Sequence, residues 1–166
     1  SNFTILGDVN QTINPYYKYK SLDILSNIFK QSKCISLTKT YRSSPEIIEF
    51  TNRILGLDHV CAIRKTEKVP LIHRTDPSYL CEDINYLKNK YKSLAVITRD
   101  SKTALRLYEE LKDTFPISLL NSNSEEFNKE LVVLPAYLAK GLEFDSVIVY
   151  SDKGSKYLKN EKNLLQ

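Results

Sequence analysis

Three short stretches bring together residue types that handle phosphates and nucleotides. The first is Gly7-Asp8-Val9-Asn10-Gln11, directly after the apolar run Phe3-Thr4-Ile5-Leu6. A carboxylate and a carboxamide three residues apart on one loop can face one pocket. There the acid reaches a metal-bound water, and Gln11 orients a water or touches a phosphate. The same residues also suit a plain Gly-Asp turn with a solvated Gln. The second stretch is Thr40-Tyr41-Arg42-Ser43-Ser44-Pro45. Arg pairs with phosphate through two parallel bonds, helix-terminal N–H groups favour anions, and Tyr41 offers a ring on which a base can stack. A surface Arg ahead of a helix cap is the bland alternative. The third is Ala139-Lys140-Gly141-Leu142-Glu143-Phe144-Asp145. Gly141 suits an unusual backbone angle, and Glu143 can accept a ribose hydroxyl. A β-turn with ordinary Lys and Glu fits as well.

These residues need elements to position them. Phe3–Leu6 reads as a short buried strand stopped by Gly7-Asp8. Ser21 opens a helical pattern with Leu22, Leu25, Ile28 and Phe29 spaced three and four apart. Cys34-Ile35-Ser36-Leu37 alternates like a strand. Ser43-Ser44-Pro45-Glu46 predicts a helix start, and Gly56 its stop. Residues 57–70 read as an irregular basic excursion, and Leu71-Ile72-His73 as a short strand. Helices are predicted over Glu82–Tyr91 and Ser101–Leu111. Strands are predicted at Leu94–Ile97, Pro116–Leu119, Leu131–Leu134 and Val147–Tyr150, and a last helix near Ser155. Strands alternating with helices, several of them apolar on both faces, predict an α/β fold. Its sheet is open, mostly parallel and covered by helices on both faces. On such sheets ligands sit at the carboxyl ends of the strands, so the three stretches are expected there.

Composition bounds the rest. The 166 residues are 42% hydrophobic and 27% charged, which excludes wholesale disorder. A chain of this length suggests one domain that needs no disulfide or metal to fold. Lys and Arg number 24 against 20 Asp and Glu, a net charge of +4 that permits an anionic partner without requiring one. No apolar run approaches ~18 residues, and no secretory signal pattern opens the chain, so a cytoplasmic location with no membrane association is expected. Cys34, Cys61 and Cys81 have no metal-type spacing and are expected to be reduced and buried as small hydrophobes. His59 and His73 stand far from paired carboxylates, so metal ligation is not expected of either. Ser43 lacks a His-based triad and reads as a cap rather than a nucleophile. Met is absent, and the chain is expected to be a piece of a larger protein.

The order of the three stretches is more specific than any one of them. Gly-Asp-x-x-Gln, then Tyr-Arg-Ser, then Ala-Lys-Gly-Leu-Glu-Phe-Asp resembles the UvrD/Rep-like superfamily-one DNA helicases. Residues 135–145 are most similar to the HelD and helicase IV branch, and the resemblance runs from about residue 4 to 150. It implies a RecA-like fold of the P-loop NTPase type, with residues 1–166 forming most of a single second, C-terminal motor domain. It also implies ATP and Mg²⁺ as cofactors, both held mainly by an N-terminal RecA-like domain of the same protein, with single-stranded DNA as the track.

Site residues follow from the same resemblance. Gln11 contacts the γ-phosphate region, Tyr41 stacks on adenine, and Arg42 is an arginine finger. Glu143 bonds the ribose beside Gly141, and Asp8 helps organise the loop coupling ATP to nucleic acid. No Gly-x-x-x-x-Gly-Lys-Ser/Thr loop occurs. The family's final Arg motif would begin right after Asn163-Leu164-Leu165-Gln166. The lone chain is therefore expected to bind ATP poorly and to show no ATPase.

Departures from the family pattern also carry expectations. Pro135 and Tyr137 stand where the family places Thr and His that hold DNA. Pro15-Tyr16-Tyr17-Lys18-Tyr19 replaces an aromatic-Arg-Gly-Ala run, with Tyr16 where a base-stacking aromatic stands. Tyr16, Lys18, Tyr137 and Lys140 are the candidate nucleic-acid contacts, since stacking contributes roughly 1–3 kcal/mol per base and lysines add a salt-dependent part. These changes weaken the case for duplex unwinding and leave room for a HelD-like ATPase that remodels RNA polymerase. A nucleotide-binding module without motor activity is the third reading.

Overall fold

The computed structural model describes residues 3–8, 23–57, 59–65, 76–122, 124, 128 and 130–151. The chain divides into two compact units, one formed by Ser1–Lys20 with Asp76–Gln166, the other by Ser21–Thr75.

The larger unit is built on a four-stranded sheet whose pairings are all parallel. Its elements, numbered in chain order over the whole protein, are α3 (Leu80–Lys90), β3 (Leu94–Thr98), α4 (Ser101–Leu111), β4 (Ser118–Leu119), β5 (Leu131–Pro135) and β6 (Ser146–Val149). The spatial order is β4-β5-β3-β6. The near-continuous apolar runs of β3 and β5 place them at the centre, where both faces are covered. Leu94, Val96, Leu131 and Val133 point to one side and join Ile84 of α3 and Ala104, Leu107 and Leu111 of α4. Ala95, Val132 and Leu134 point to the other and pack with Leu138, Ala139, Leu142 and Phe144.

The helix expected near Ser155 lies outside the described residues, and the two described α-helices of this unit, α3 and α4, lie on one face. Connectivity supplies the reason. The β3-to-β4 crossover passes β5 in one direction, and the β5-to-β6 crossover passes β3 in the other. Right-handed crossovers running in opposite directions need opposite faces. The first crossover contains α4; the second is the short segment 136–145, with a single 3₁₀ turn at Ala136–Leu138. Val147 and Val149 of β6 are exposed, beside Ala95 and Ile97 in register.

The smaller unit holds α1 (Asp23–Ile28), β1 (Lys39–Thr40), α2 (Pro45–Leu55) and β2 (Cys61–Ala62). β1 and β2 pair in parallel. α2 starts and stops where its sequence dictates. Ser44, not Ser43, is the N-cap, Pro45 opens the first turn, and Gly56 ends the helix at φ 67°. Leu57 N–H then closes back on Asn52 C=O at 2.9 Å.

Several expectations fail. Residues 3–8 belong to no strand and are exposed, with Leu6 at 87%. Cys34–Leu37 is irregular, and the strand lies two residues later at Lys39–Thr40. Its partner β2 falls inside the stretch read as irregular. A strand exists only through the neighbour that completes its ladder, and apolar alternation alone does not name one. Cys34, Cys61 and Cys81 are all exposed rather than buried. The Leu71–His73 strand and the helix near Ser155 lie outside the described residues. No helix among the described residues is long and apolar enough to cross a membrane.

Candidate functional site

In the smaller unit Tyr41 and Arg42 follow β1 directly and precede the cap of α2. The Arg42 N–H donates to Thr40 Oγ1 at 3.4 Å, and Arg64 Nη1 donates to the Arg42 carbonyl at 3.1 Å. Backbone bonds on both sides thus fix the turn, while Tyr41 remains 72% exposed and the Arg42 side chain is also exposed. Ser44 Oγ accepts the Ile47 N–H at 3.5 Å. Glu46 follows in the first turn, where a carboxylate complements the helix dipole, with Oε2 buried and making no hydrogen bond. The parallel strand, the short turn and the capped helix place exposed Tyr41 and Arg42 directly after a strand's carboxyl end. That arrangement can present a stacking surface and a bidentate anion ligand together.

In the larger unit the carboxyl ends of β3 and β5 lie side by side, and their following segments leave on opposite faces. This is the topological switch point at which open α/β sheets form a crevice. Thr98 is buried, and its hydroxyl donates to Asp100 C=O at 3.0 Å and Leu134 C=O at 3.4 Å, tying the two strand ends. Asp100 caps α4, its Oδ1 accepting the Thr103 N–H at 2.8 Å. That bond holds the Asp100 carboxyl below the usual carboxylate range, against a smaller opposing effect of burial.

Across the crevice, Tyr137 OH and Ser101 Oγ are 2.9 Å apart. Hydrogen bonding to Ser101, and then to Ser122, pulls the Tyr137 phenol below its ordinary pKa. A small cavity of about 170 Å³ opens here between Ala104 and Leu105 of α4, Leu119, Leu120 and Pro135, with Ser101 and Asn121 as its polar groups.

The third stretch starts near this crevice and crosses the second face toward β6. Gly141 stands at φ 82°, with open space where a Cβ would be. The expected unusual angle is therefore present, and its reason is backbone conformation rather than crowding. Leu142 N–H bonds Ala139 C=O at 3.1 Å. Leu142 and Phe144 pack on the sheet, while Lys140 and Glu143 are exposed. Glu143 thus lies between the crevice and the start of β6, not directly after a strand as expected.

No protein-family model matches the chain, and no curated protein matches it in sequence.

The structure thus leaves Tyr41 and Arg42 exposed after β1, joins Tyr137 to Ser101, and holds Lys140, Gly141 and Glu143 in one turn. Asp8 is exposed on an irregular segment. Gln11, Tyr16, Lys18 and His73 lie outside the described residues. Among the described residues, no group of three or more His, Cys, Asp or Glu could hold a metal ion. Sequence reasoning missed Arg64, Asp100, Ser101 and Ser93. Asp100-Ser101 carried a readable signal, an acid just ahead of a helical pattern after an apolar strand. Arg64 and Ser93 carried none, since each acts through a partner distant in sequence.

Proposed function

We propose that this chain supplies the second half of a nucleotide site in an ATP-dependent DNA helicase or translocase of the superfamily-one type. Tyr41 would stack on adenine, Arg42 would meet the γ-phosphate, and Glu143 would bond the ribose. Gln11 and Asp8 would belong to the same site. Tyr16, Lys18, Tyr137 and Lys140 would face single-stranded DNA. ATP and Mg²⁺ would be held mainly by another RecA-like domain. The order of the three sequence stretches supports this reading, as does an all-parallel α/β sheet. The observation that carries it is the pairing of exposed Tyr41 and Arg42 between a parallel strand and a capped helix, with backbone bonds from both sides holding the turn.

The test replaces Arg42 in the intact protein. Arg42→Ala is expected to lower kcat far more than it weakens ATP binding, by roughly 10³–10⁵, because a finger acts on charge that grows in the transition state. Arg42→Lys is expected to recover little, since an ammonium lacks the bidentate fork. An unchanged kcat overturns the role. The lone 166-residue chain is expected to show no Mg²⁺-dependent ATP turnover.

A second reading, a motor that remodels RNA polymerase, is favoured by what stands at the positions expected to grip DNA. Pro135 is buried at the end of β5, and the Tyr137 hydroxyl is engaged with Ser101. Capture of RNA polymerase by the intact protein without strand displacement would favour it over the helicase.

A further inference from the structure

At the amino ends of β3 and β6, Asp145 closes a ring of hydrogen bonds with Ser93. The Ser93 N–H and hydroxyl both donate to Asp145 Oδ2 at 3.1 Å, and the Asp145 N–H donates back to Ser93 Oγ at 2.8 Å. One residue on, the Ser146 N–H and hydroxyl reach the Ser93 carbonyl at 3.1 and 3.2 Å. The ladder begins at the next pair, Leu94 opposite Ser146. β6 has four residues and, among the described residues, pairs with β3 alone. Ile148 and Tyr150 pack on the core side, while Val147 and Val149 on the other side are exposed, so the clamp adds a polar tie at the strand's start to one-sided packing.

The segment that enters this clamp is the turn carrying Glu143. Gly141 bends it, Leu142 and Phe144 lay it on the sheet, and Asp145 anchors its end. Glu143 is two residues from the anchor and exposed. A charged acceptor taking two donors from one residue is a short-range, directional tie. Asp has the reach for it, and Glu carries an extra methylene.

We infer that Asp145 and Ser93 are positioning residues for Glu143, fixing where the turn ends and so where its carboxylate stands relative to a ribose. This rests on the ribose contact proposed above for Glu143. The clamp touches no nucleotide itself.

The test follows amide exchange by NMR in the ¹⁵N-labelled 166-residue chain, and reads affinity by titrating ATP and 2′,3′-dideoxy-ATP into the intact protein, wild type and variants. Wild type is expected to prefer ATP. Glu143→Gln is expected to lose that preference without altering exchange in residues 140–144. Ser93→Ala, Asp145→Asn and Asp145→Glu are expected to lose it too, with exchange in residues 142–145 faster by roughly tenfold. Protection in β3 and β5 should be kept.

If these clamp variants retain both wild-type exchange in the turn and the ATP preference, the inference is overturned. It also falls if exchange rises equally across β3 and β5, since the clamp is then only a general stabiliser. If Glu143→Gln keeps the preference, the ribose contact itself fails, while exchange in the clamp variants still decides whether Asp145 positions the turn.

Discussion

At the scale of single residues, Asp100 shows how one carboxylate serves both the fold and the crevice. It ends the turn after β3, caps α4 and puts Ser101 within reach of Tyr137. Its bond from the Thr103 N–H favours the ionised form and lowers its pKa. A depressed carboxylate contributes stability above its unfolded pKa of about 3.9, and that contribution is lost as pH falls through the lower folded value. Asp100 is exposed, so the charge-dependent part is at the small end. Asp100→Ala is expected to cost about 1 kcal/mol at neutral pH, and Asp100→Ser much less, because a hydroxyl still caps. The difference between wild type and Asp100→Ala should shrink below about pH 4, while that between Asp100→Ser and Asp100→Ala should not. Urea unfolding of the three proteins at neutral and acid pH measures both differences.

At the scale of elements, the sheet's two faces are unequal, and the inequality makes a sharp comparison. Val133 in β5 is fully buried beneath α3 and α4, whereas Val149 in β6 is 68% exposed on the other face. Val→Thr keeps the shape and adds a hydroxyl. Val133→Thr must bury that hydroxyl and is expected to cost about 1–3 kcal/mol. Val149→Thr leaves it in water and should fall within about 0.5 kcal/mol of wild type. Equal losses in chemical denaturation would mean that the second face is covered after all. The same contrast explains which elements were legible. α4 runs over Ser101–Leu111 as its periodicity predicts, and β3 and β5 stand where their apolar runs are, because these signals are local and strong. Phe3–Leu6 and Cys34–Leu37 look just as strand-like, yet no ladder includes them. What they lacked was a partner, and the identity of a partner is not a local property. The site followed the same rule. Gly141 and the Ser44 cap were readable from residue type and neighbours, whereas Arg64 on the Arg42 carbonyl and Ser93 on Asp145 join residues 22 and 52 positions apart.

At the scale of the whole molecule, the apolar interior is confined to one unit. Every buried apolar side chain among the described residues lies between Ile84 and Pro135. The unit of residues 21–75 has apolar residues in the right pattern, and α2 gathers Ile47, Phe50 and Ile54 on one stripe. Each of these is nonetheless 44–46% exposed, and Ser44 is the one buried residue described there. Full burial of such a side chain contributes about 1.5–3 kcal/mol, and half-burial leaves roughly half of it. Ordering a residue's backbone costs about 1–2 kcal/mol, and the described residues of this unit, which bury no apolar side chain, do not recover that entropy. A chain of residues 76–151 is therefore expected to fold alone, with a cooperative urea transition and native-like circular dichroism. A chain of residues 21–75 is expected to show no cooperative transition, despite the strong caps of α2. A cooperative melt of the 21–75 chain, with protected amides in α2, would show that packing against its own residues suffices. Tyr41 and Arg42 would then stand on an autonomous module rather than on one ordered only within the longer chain.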